Sequence, residues 1–215
     1  MYVPKPFAFP EGAVSELHDL IEDQVFGVLA APGDGSSDPE SGLQAVHMPF
    51  VLDRLGGRHG TLAGHVARAN PVWTTFAPGR ELLVIFQGPH CYVSPDWYAT
   101  PGLVPTWNYL AVHCYGSPRI LGGEDAVIGH LKRLSALAEE RLLPKRPWTL
   151  ERVGRTRLAA LLPQIVAFEI EITRIEGKRK LNQNRRAADR ARVIHALEGS
   201  SRSGDLAIAE AMRGI

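Results

Sequence analysis

The sequence is poor in the features that mark disulfide-rich, membrane and strongly charged proteins. Only two cysteines occur in 215 residues, too few for a disulfide framework, so a reducing compartment is expected. No apolar run approaches the roughly 18 residues of a membrane span. The formal net charge is +1, which provides no overall attraction to nucleic acid or to a membrane surface. The segment Met1–Phe7 lacks the pattern of a signal peptide, so we expect a cytoplasmic protein without a membrane anchor.

The remaining composition is that of an ordinary globular protein. Hydrophobic residues make up 45% of the chain and charged residues 22%, proportions typical of a packed domain. A chain of 215 residues suits one large domain, or a domain with a helical appendage.

Short strands and helices follow one another along the chain. Segments 25–31 and 43–52 flank a loop at 32–42 rich in glycine, proline and serine, which predicts a hairpin. The apolar run within Glu81–Phe86 predicts a central strand buried on both faces. Further strands are predicted at 107–115 and 166–173, and helices at 12–22, 125–142, 149–162, 185–197 and 205–212. This order favours an α+β protein, mainly β, in which a small barrel carries helices at its rim.

The stretch Thr61–Pro71 has the clearest chemical potential. Its pattern predicts a short strand that turns at Gly64 into a short helical run, which Pro71 closes. A helix start carries unpaired N–H groups and a positive partial charge, both of which suit a phosphate. His65 and Arg68 stand three apart in the predicted first turn, so both can face one anion. The alternative is an ordinary strand-to-helix corner with a solvated arginine.

Five short motifs follow one another along the chain: His47–Phe50 (HMPF), Gly64–Pro71 (GHVARANP), Tyr92–Tyr98 (YVSPDWY), Pro105–Tyr109 (PTWNY) and Gln183–Arg185 (QNR). In this order they resemble the motifs of the PaiB family of FMN-binding negative transcriptional regulators. The resemblance extends from Met1 to the C-terminal helices. Asp96 and Asn182 stand where it leads us to expect serine.

This resemblance implies an FMN-binding split β-barrel with flanking and C-terminal helices. It assigns residues 1–175 to the barrel domain, with inserted helices at about 124–162, and residues 176–215 to a helical tail packed on the barrel. It also implies a repressor of transcription that binds FMN at a homodimer interface, with DNA as a second partner. The sequence names neither an operator nor a small-molecule effector.

The resemblance and the chemistry of FMN together select the candidate cofactor-binding residues. Related barrels hold the phosphate with basic and hydroxyl groups, which here implies Thr61, His65 and Arg68. The strand at 47–52 can offer backbone groups to the ring edge, and the aromatic region can offer flat apolar surface. No catalytic or metal-binding residue is predicted. The complete candidate set is His47, Phe50, Val51, Thr61, Leu62, Gly64, His65, Arg68, Asn70, Trp107, Asn108, Gln183 and Asn184.

Two alternative functions and one alternative metal site stay open. A flavin-dependent oxidoreductase, such as a flavin reductase or a pyridoxamine-phosphate-oxidase-like enzyme, rests on fold analogy alone, so enzymatic activity is undecided. A haem-binding protein on the same barrel would use His47 or His65 as a ligand. The pairs His90–Cys91 and His113–Cys114 contain zinc-ligand types, but neighbours on a strand point to opposite faces and cannot easily chelate one ion.

A basic stretch runs from Arg174 to Arg192. It contains eight lysines and arginines against two acids, Glu176 and Asp189. It could contact DNA phosphates, or it could be a solvated helix face that partly binds the cofactor. A helix–turn–helix over 185–212 is weakly supported, because the second predicted helix lacks basic groups. The aromatic region 92–109 is equally open to two interpretations, as core or as subunit interface.

Overall fold

The structure is a computed structural model that describes residues 1–33 and 42–215. The loop predicted at 32–42 therefore lies largely outside the described residues. Within them are seven strands: β1 Phe26–Ala31, β2 Gln44–Pro49, β3 Val51–Asp53, β4 Thr61–Ala67, β5 Leu82–Val93, β6 Thr106–Ile120 and β7 Ile165–Lys180. The α-helices of the same residues are α1 Val14–Gln24, α2 Glu124–Glu140, α3 Arg155–Leu161, α4 Ala187–Glu198 and α5 Ser203–Arg213. Short 3₁₀ turns occupy Lys5–Phe7, Pro71–Thr75, Pro95–Trp97, Leu150–Val153 and Leu162–Gln164.

The strands form one sheet in the order β2-β1-β5-β6-β7-β4-β3. β1 and β2 pair antiparallel, with Val28 opposite His47, which confirms the predicted hairpin. β4 pairs antiparallel with β3 on one side and with β7 on the other. The predicted α+β class and the hairpin-joined strands are thus confirmed, and β2 and β3 form the two edges of the sheet.

The chain divides into two compact units, and β5, β6 and β7 each continue from one unit into the other. The first unit comprises Met1–Leu17, Gln87–Val112 and Glu176–Ile215. In its core, buried residues spaced four apart on α4, and likewise on α5, lie on one face of each helix. Those residues pack against the buried side chains of β5, and the cluster contains Cys91, Val93, Tyr98, Leu181, Val193, Leu197, Ile208, Ala209 and Met212.

The second unit comprises His18–Phe86 and His113–Ile175. Phe50 and Phe86 meet edge to face at 5.7 Å in its core, a geometry that aromatic pairs prefer. Phe168 and Ile170 of β7 are fully buried. The unit therefore has an apolar core of its own, to which strands β1 to β4 all belong.

The predicted helical run after Gly64 is wrong. Residues 61–67 are all strand, and every one of them pairs with β7. The helical turn begins only at Pro71, and Asn70 caps it by accepting a hydrogen bond from the Val72 N–H at 3.0 Å. Pro71 therefore opens a turn of helix instead of closing one, because proline suits the first helical position, where its missing N–H is not needed.

Three further expectations need correction. The helix predicted at 149–162 is interrupted by Gly154, whose φ of +79° is open to glycine but not to a continuing helix. β5 is buried on one face only, since Leu83 and Ile85 are half-buried. The basic residues Arg174–Lys180 lie on strand β7 and not on a helix face. None of the helices in the described part of the chain has the length and apolar character of a membrane span.

Candidate functional site

Gly64 lies in the middle of β4, where a side chain would crowd Met48 and Phe50. A Cβ at this position would lie 2.5 Å from Cε of Met48 and 3.3 Å from Cε1 of Phe50. Phe50 and Leu62 are almost fully buried. These candidate residues, together with the buried Val51, shape the core, so a ligand could reach them only through their backbone groups.

His65 is paired with a second histidine that the sequence analysis did not select. Its Nδ1 lies 3.0 Å from Nε2 of His130 on α2, and the two rings meet edge to face. His130 is fully buried and is the one buried residue described within α2. Burial lowers the pKa of both imidazoles, that of His130 to about 4 with help from the charges of His65 and Arg133. Both rings are therefore neutral at pH 7.

A signal for His130 was present in the sequence. The residue stands three positions after Val127 and four before Leu134, within the apolar stripe of the predicted helix. A polar side chain on a core-facing stripe needs a hydrogen-bond partner. Helical periodicity thus predicts that His130 faces the core, but it does not identify the partner of His130 on β4.

Arg68 lies just beyond β4, and carbonyl groups hold its side chain in place. Nε donates to the oxygen of Pro163 at 2.6 Å, and Nη2 donates to that of Ile165 at 3.0 Å. The guanidinium also lies 5.5 Å from the ring centre of Trp73. Within residues 1–33 and 42–215, Nη1 of Arg68 has no hydrogen-bond partner.

An open cleft of about 330 Å³ borders Arg68. Ala167, the strand partner of His65, and Val127, one turn before His130, also line it. Glu124 contributes a carboxylate to the same cleft, and its other walls are mostly apolar. The cleft therefore brings Arg68 near the strand partner of His65 and near the helix that carries His130, but neither histidine lines it. Strand pairing with β7, not the predicted helical turn, sets this arrangement.

Thr61 and Asn70, two further candidates, serve local structure. The Thr61 hydroxyl donates to the Gly56 oxygen at 3.1 Å, and Asn70 caps the turn that begins at Pro71. His47 is exposed on the edge strand β2 and stacks on the exposed ring of Phe26 at 6.4 Å. Of these three candidates, His47 is the one whose side chain is open to solvent.

The remaining four candidates belong to the first unit and do not form one cluster. Asn108 is fully buried and donates from Nδ2 to the Met212 sulfur. Gln183 uses both ends of its amide locally, accepting from the Leu181 N–H and donating to the Arg179 oxygen. Asn184 is exposed.

Trp107 is 50% exposed and belongs to an aromatic patch on the sheet of the first unit. Its ring lies 6.0 Å from that of Tyr92, which is 44% exposed, and 6.2 Å from that of His90. His90, Tyr92 and Trp107 are called the aromatic surface below. Large exposed rings of this kind are typical of interfaces and of ligand walls.

The two cysteines are unsuited to the zinc alternative. Cys91 and Cys114 are both free and buried. Burial raises the pKa of the Cys91 thiol to about 12 and that of Cys114 further still. A zinc ligand must be a thiolate, and these surroundings favour the neutral thiol. Among the residues that the structure describes, no group of three His, Cys, Asp or Glu side chains is placed to hold a metal ion.

Comparison with known proteins decides the family. Residues 1–174 match the family model described as "Putative FMN-binding domain". The chain belongs to this FMN-binding family. A Bacillus subtilis relative, Protease synthase and sporulation protein PAI 2 (PaiB), is 31% identical over 212 residues, which cover 99% of this chain and 96% of the relative. An uncharacterized protein of Emericella nidulans is 30% identical over 236 residues, or 94% of this chain and 93% of that protein. The predicted PaiB resemblance is confirmed.

A solved structure supports the fold. The FAD and heme binding protein from Mycobacterium smegmatis superposes with a TM-score of 0.53 at 20% identity, covering 77% of this chain and 70% of that chain. The predicted split β-barrel fold is thereby confirmed, and membership of the FMN-binding family confirms FMN as the cofactor.

The donor chemistry around Arg68 fits the phosphate of FMN. Nη1 of Arg68 and Nε2 of His65 have no hydrogen-bond partner in the described chain. Arg68 is an exposed residue, and Nε2 of His65 is not among the buried unpaired side-chain atoms. An N–H donor and a permanent cation are the groups that hold phosphate. Thr61, by contrast, already directs its hydroxyl hydrogen to Gly56. Where the flavin contacts individual residues stays a prediction.

Proposed function

We propose that this protein is an FMN-binding regulator of the PaiB type, which holds its flavin between two copies of the chain. The observation that carries the proposal is the 31% identity to PaiB along 99% of the chain, together with the FMN-binding family model. The name of that relative refers to protease synthesis and sporulation. A regulatory role is the function that this resemblance implies.

Three groups would share the recognition of FMN. Arg68 would hold the phosphate through Nη1, because Nε and one hydrogen of Nη2 are engaged by the oxygens of Pro163 and Ile165. His65 would donate from Nε2 to the same phosphate. The backbone at 47–51, which runs from the end of the edge strand β2 into the edge strand β3, would offer hydrogen bonds to the ring edge. FMN itself supplies reversible redox chemistry at its ring.

The exposed aromatic surface supports the two-copy arrangement. Trp107 and Tyr92 expose about half of their rings, and Val104 of the same unit is 64% exposed. Burying such side chains against a second copy removes apolar area from water at roughly 25 cal/mol per Å². A flavin site completed by a second copy would also explain why the candidates Trp107 and Asn184 lie at the surface.

The decisive experiment is the absorption spectrum of the purified protein, followed by mass determination of the released ligand. A flavin spectrum with the mass of FMN supports the proposal, whereas a haem band would favour the haem alternative. In titrations of the stripped protein, FMN should bind more tightly than FAD, because a site for a terminal phosphate favours the mononucleotide. Equal affinity for the two flavins would contradict that site.

A second measurement separates regulation from enzymatic activity. The FMN-loaded protein is mixed with reduced nicotinamide nucleotides under air, and their oxidation is followed over many turnovers. A regulator should show no sustained turnover. Sustained turnover, at rates well above those of free FMN, would support the oxidoreductase alternative and contradict the proposal.

A further inference from the structure

The hydrogen bond between His65 and His130 can be formed in only two ways. Both rings are neutral at pH 7, so a single hydrogen lies between Nδ1 of His65 and Nε2 of His130, which are 3.0 Å apart. In one arrangement His130 donates from Nε2, and His65 then carries its own hydrogen on Nε2. In the other, His65 donates from Nδ1, and its Nε2 becomes an acceptor. The two arrangements give His65 opposite properties toward an anion.

The second ring nitrogen of His130 distinguishes the two arrangements. Nδ1 of His130 is buried and has no hydrogen-bond partner. If His65 were the donor, this Nδ1 would carry a buried N–H without an acceptor. If His130 is the donor, Nδ1 carries a lone pair instead. Buried N–H groups without a partner are rarer in native proteins than under-satisfied acceptors, so the arrangement in which His130 donates is favoured.

We propose that His130 is a positioning residue: it donates to Nδ1 of His65 and thereby fixes the hydrogen of His65 on Nε2, as a donor for a phosphate. Nε2 of His65 is not buried and has no partner in the described chain, so it can reach a ligand. Arg68 directly follows the last residue of the same strand, β4, and supplies a cation. The role of His130 rests on the proposed function, because the phosphate in question is that of FMN.

The tautomers can be measured without any flavin. In ¹⁵N-labelled protein at pH 7.5, long-range ¹H–¹⁵N correlations distinguish a histidine protonated on Nε2 from one protonated on Nδ1. We expect the Nε2–H form for both His65 and His130. In His130→Leu the donor is lost, and His65 should become a mixture of tautomers. In His130→Gln the side-chain amide can donate again, so the Nε2–H form of His65 should return.

Binding measurements then connect the tautomer to the phosphate. His130→Leu should weaken FMN several-fold while leaving riboflavin, which lacks the phosphate, unchanged, and His130→Gln should restore most of the FMN affinity. His195→Leu, an exposed histidine on α4, is the matched control and should bind both flavins like the wild type. Near-native amide spectra of each variant establish that it is folded.

The possible failures are distinguishable. A wild-type His65 protonated on Nδ1 would overturn the proposal, whatever the flavin affinities. So would FMN binding that is weakened by Arg68→Ala but not by His130→Leu. If the wild-type protein binds no FMN at all, the proposed function fails, while the correlation spectra still decide whether His130 sets the tautomer of His65.

Discussion

Gly116 and Glu171 are in direct backbone contact across strands β6 and β7. A Cβ on Gly116 would lie 2.1 Å from the carbonyl oxygen of Glu171, far inside van der Waals distance. Glu171 is also the strand partner of Thr61 on β4, so its backbone cannot move away without disturbing that pairing. Only glycine is compatible with this packing of three strands.

This contact predicts unequal effects of two glycine substitutions. Gly116→Ala should lower the free energy of unfolding by about 3 kcal/mol or more, the upper range for overpacking. Gly64→Ala should cost about 1 kcal/mol, because the nearest atom is the mobile end of Met48. Urea denaturation followed by tryptophan fluorescence measures both values. If Gly64→Ala lowered the free energy of unfolding as much as Gly116→Ala or more, the backbone contact of Gly116 would not be the tighter of the two.

Arg68→Ala should weaken FMN binding by about 1.5–3 kcal/mol, the value of a charge-assisted hydrogen bond. Riboflavin should bind almost as before, because it lacks the phosphate. The comparison is necessary since Arg68 also holds Pro163 and Ile165, and a structural defect would weaken both ligands. Arg119→Ala, which removes an exposed ion pair with Glu169, is the control. Unchanged FMN affinity in Arg68→Ala would exclude the phosphate role.

The protein should be a homodimer at micromolar concentration. If the aromatic surface forms the interface, Trp107→Arg places a charge in it and should yield monomers by light scattering with reduced FMN affinity. Leu55→Arg is the matched control, since Leu55 is 93% exposed in the second unit, and it should remain dimeric. A wild-type monomer that retains FMN would refute both the dimer and the shared flavin site.

The histidine pair should make stability depend on pH. The pKa of His130 is lowered from 6.5 to about 4 in the folded protein, so between these values the unfolded chain binds more protons. The free energy of unfolding therefore falls as pH drops from about 6.5 toward 4, by at most about 1.4 kcal/mol per pH unit for one group. His130→Leu should flatten this slope, and His195→Leu should not. Identical slopes in all three proteins would disprove the contribution of His130.

Direct binding to DNA should be weak on random duplex at physiological salt. Much of the basic stretch is engaged within the first unit: Lys178 donates to the Tyr2 oxygen, and Lys180 to the Thr106 hydroxyl. The exposed Arg186 and Arg192 are better placed to meet phosphates. Alanine at both should reduce the slope of log affinity against log salt by about 1.8, or 0.9 per contact.

Fluorescence anisotropy with labelled DNA from upstream of the protein's own gene measures that slope. Alanine at Arg155 and Arg157, two exposed arginines of α3 in the second unit, should leave it unchanged. A specific complex would require a dimer that presents two copies of the stretch at fixed spacing. If alanine at Arg186 and Arg192 leaves operator binding unchanged, α4 does not contact the DNA.

Local sequence patterns predicted most helices and the first hairpin. α1, α2, α4 and α5 each carry an apolar repeat of helical period, and the pair β1 and β2 flanks an obvious turn-forming segment. Such signals lie within one element and need no partner. Gly154 is a helix-breaking residue within the predicted helix 149–162. The apolar spacing of this segment predicts a helix, but the glycine interrupts it.

The error at Asn70 and Pro71 has a different origin. A proline excludes helix before it, yet it equally suits the first position within a helix. What decides between the two is that β4 pairs along its whole length with β7, which lies far away in the chain. The pairing of His65 with His130 is long-range in the same way. Sequence motifs therefore select the candidate residues, whereas the neighbours of those residues in space depend on contacts between distant parts of the chain.

The chain leaves the sheet at the end of β6, forms α2 and α3, and returns to the sheet at the start of β7, close to the point where it left. β6 and β7 are adjacent, and the Leu121 N–H donates to the Ala167 oxygen at 2.8 Å, so a short hairpin could join the two strands directly. Residues 122–164 thus form a cassette that could be exchanged between relatives without changing the strand register. Because this cassette carries His130 and Pro163, exchanging it would replace the partner of His65 and one of the two carbonyl groups that hold Arg68 in a single step.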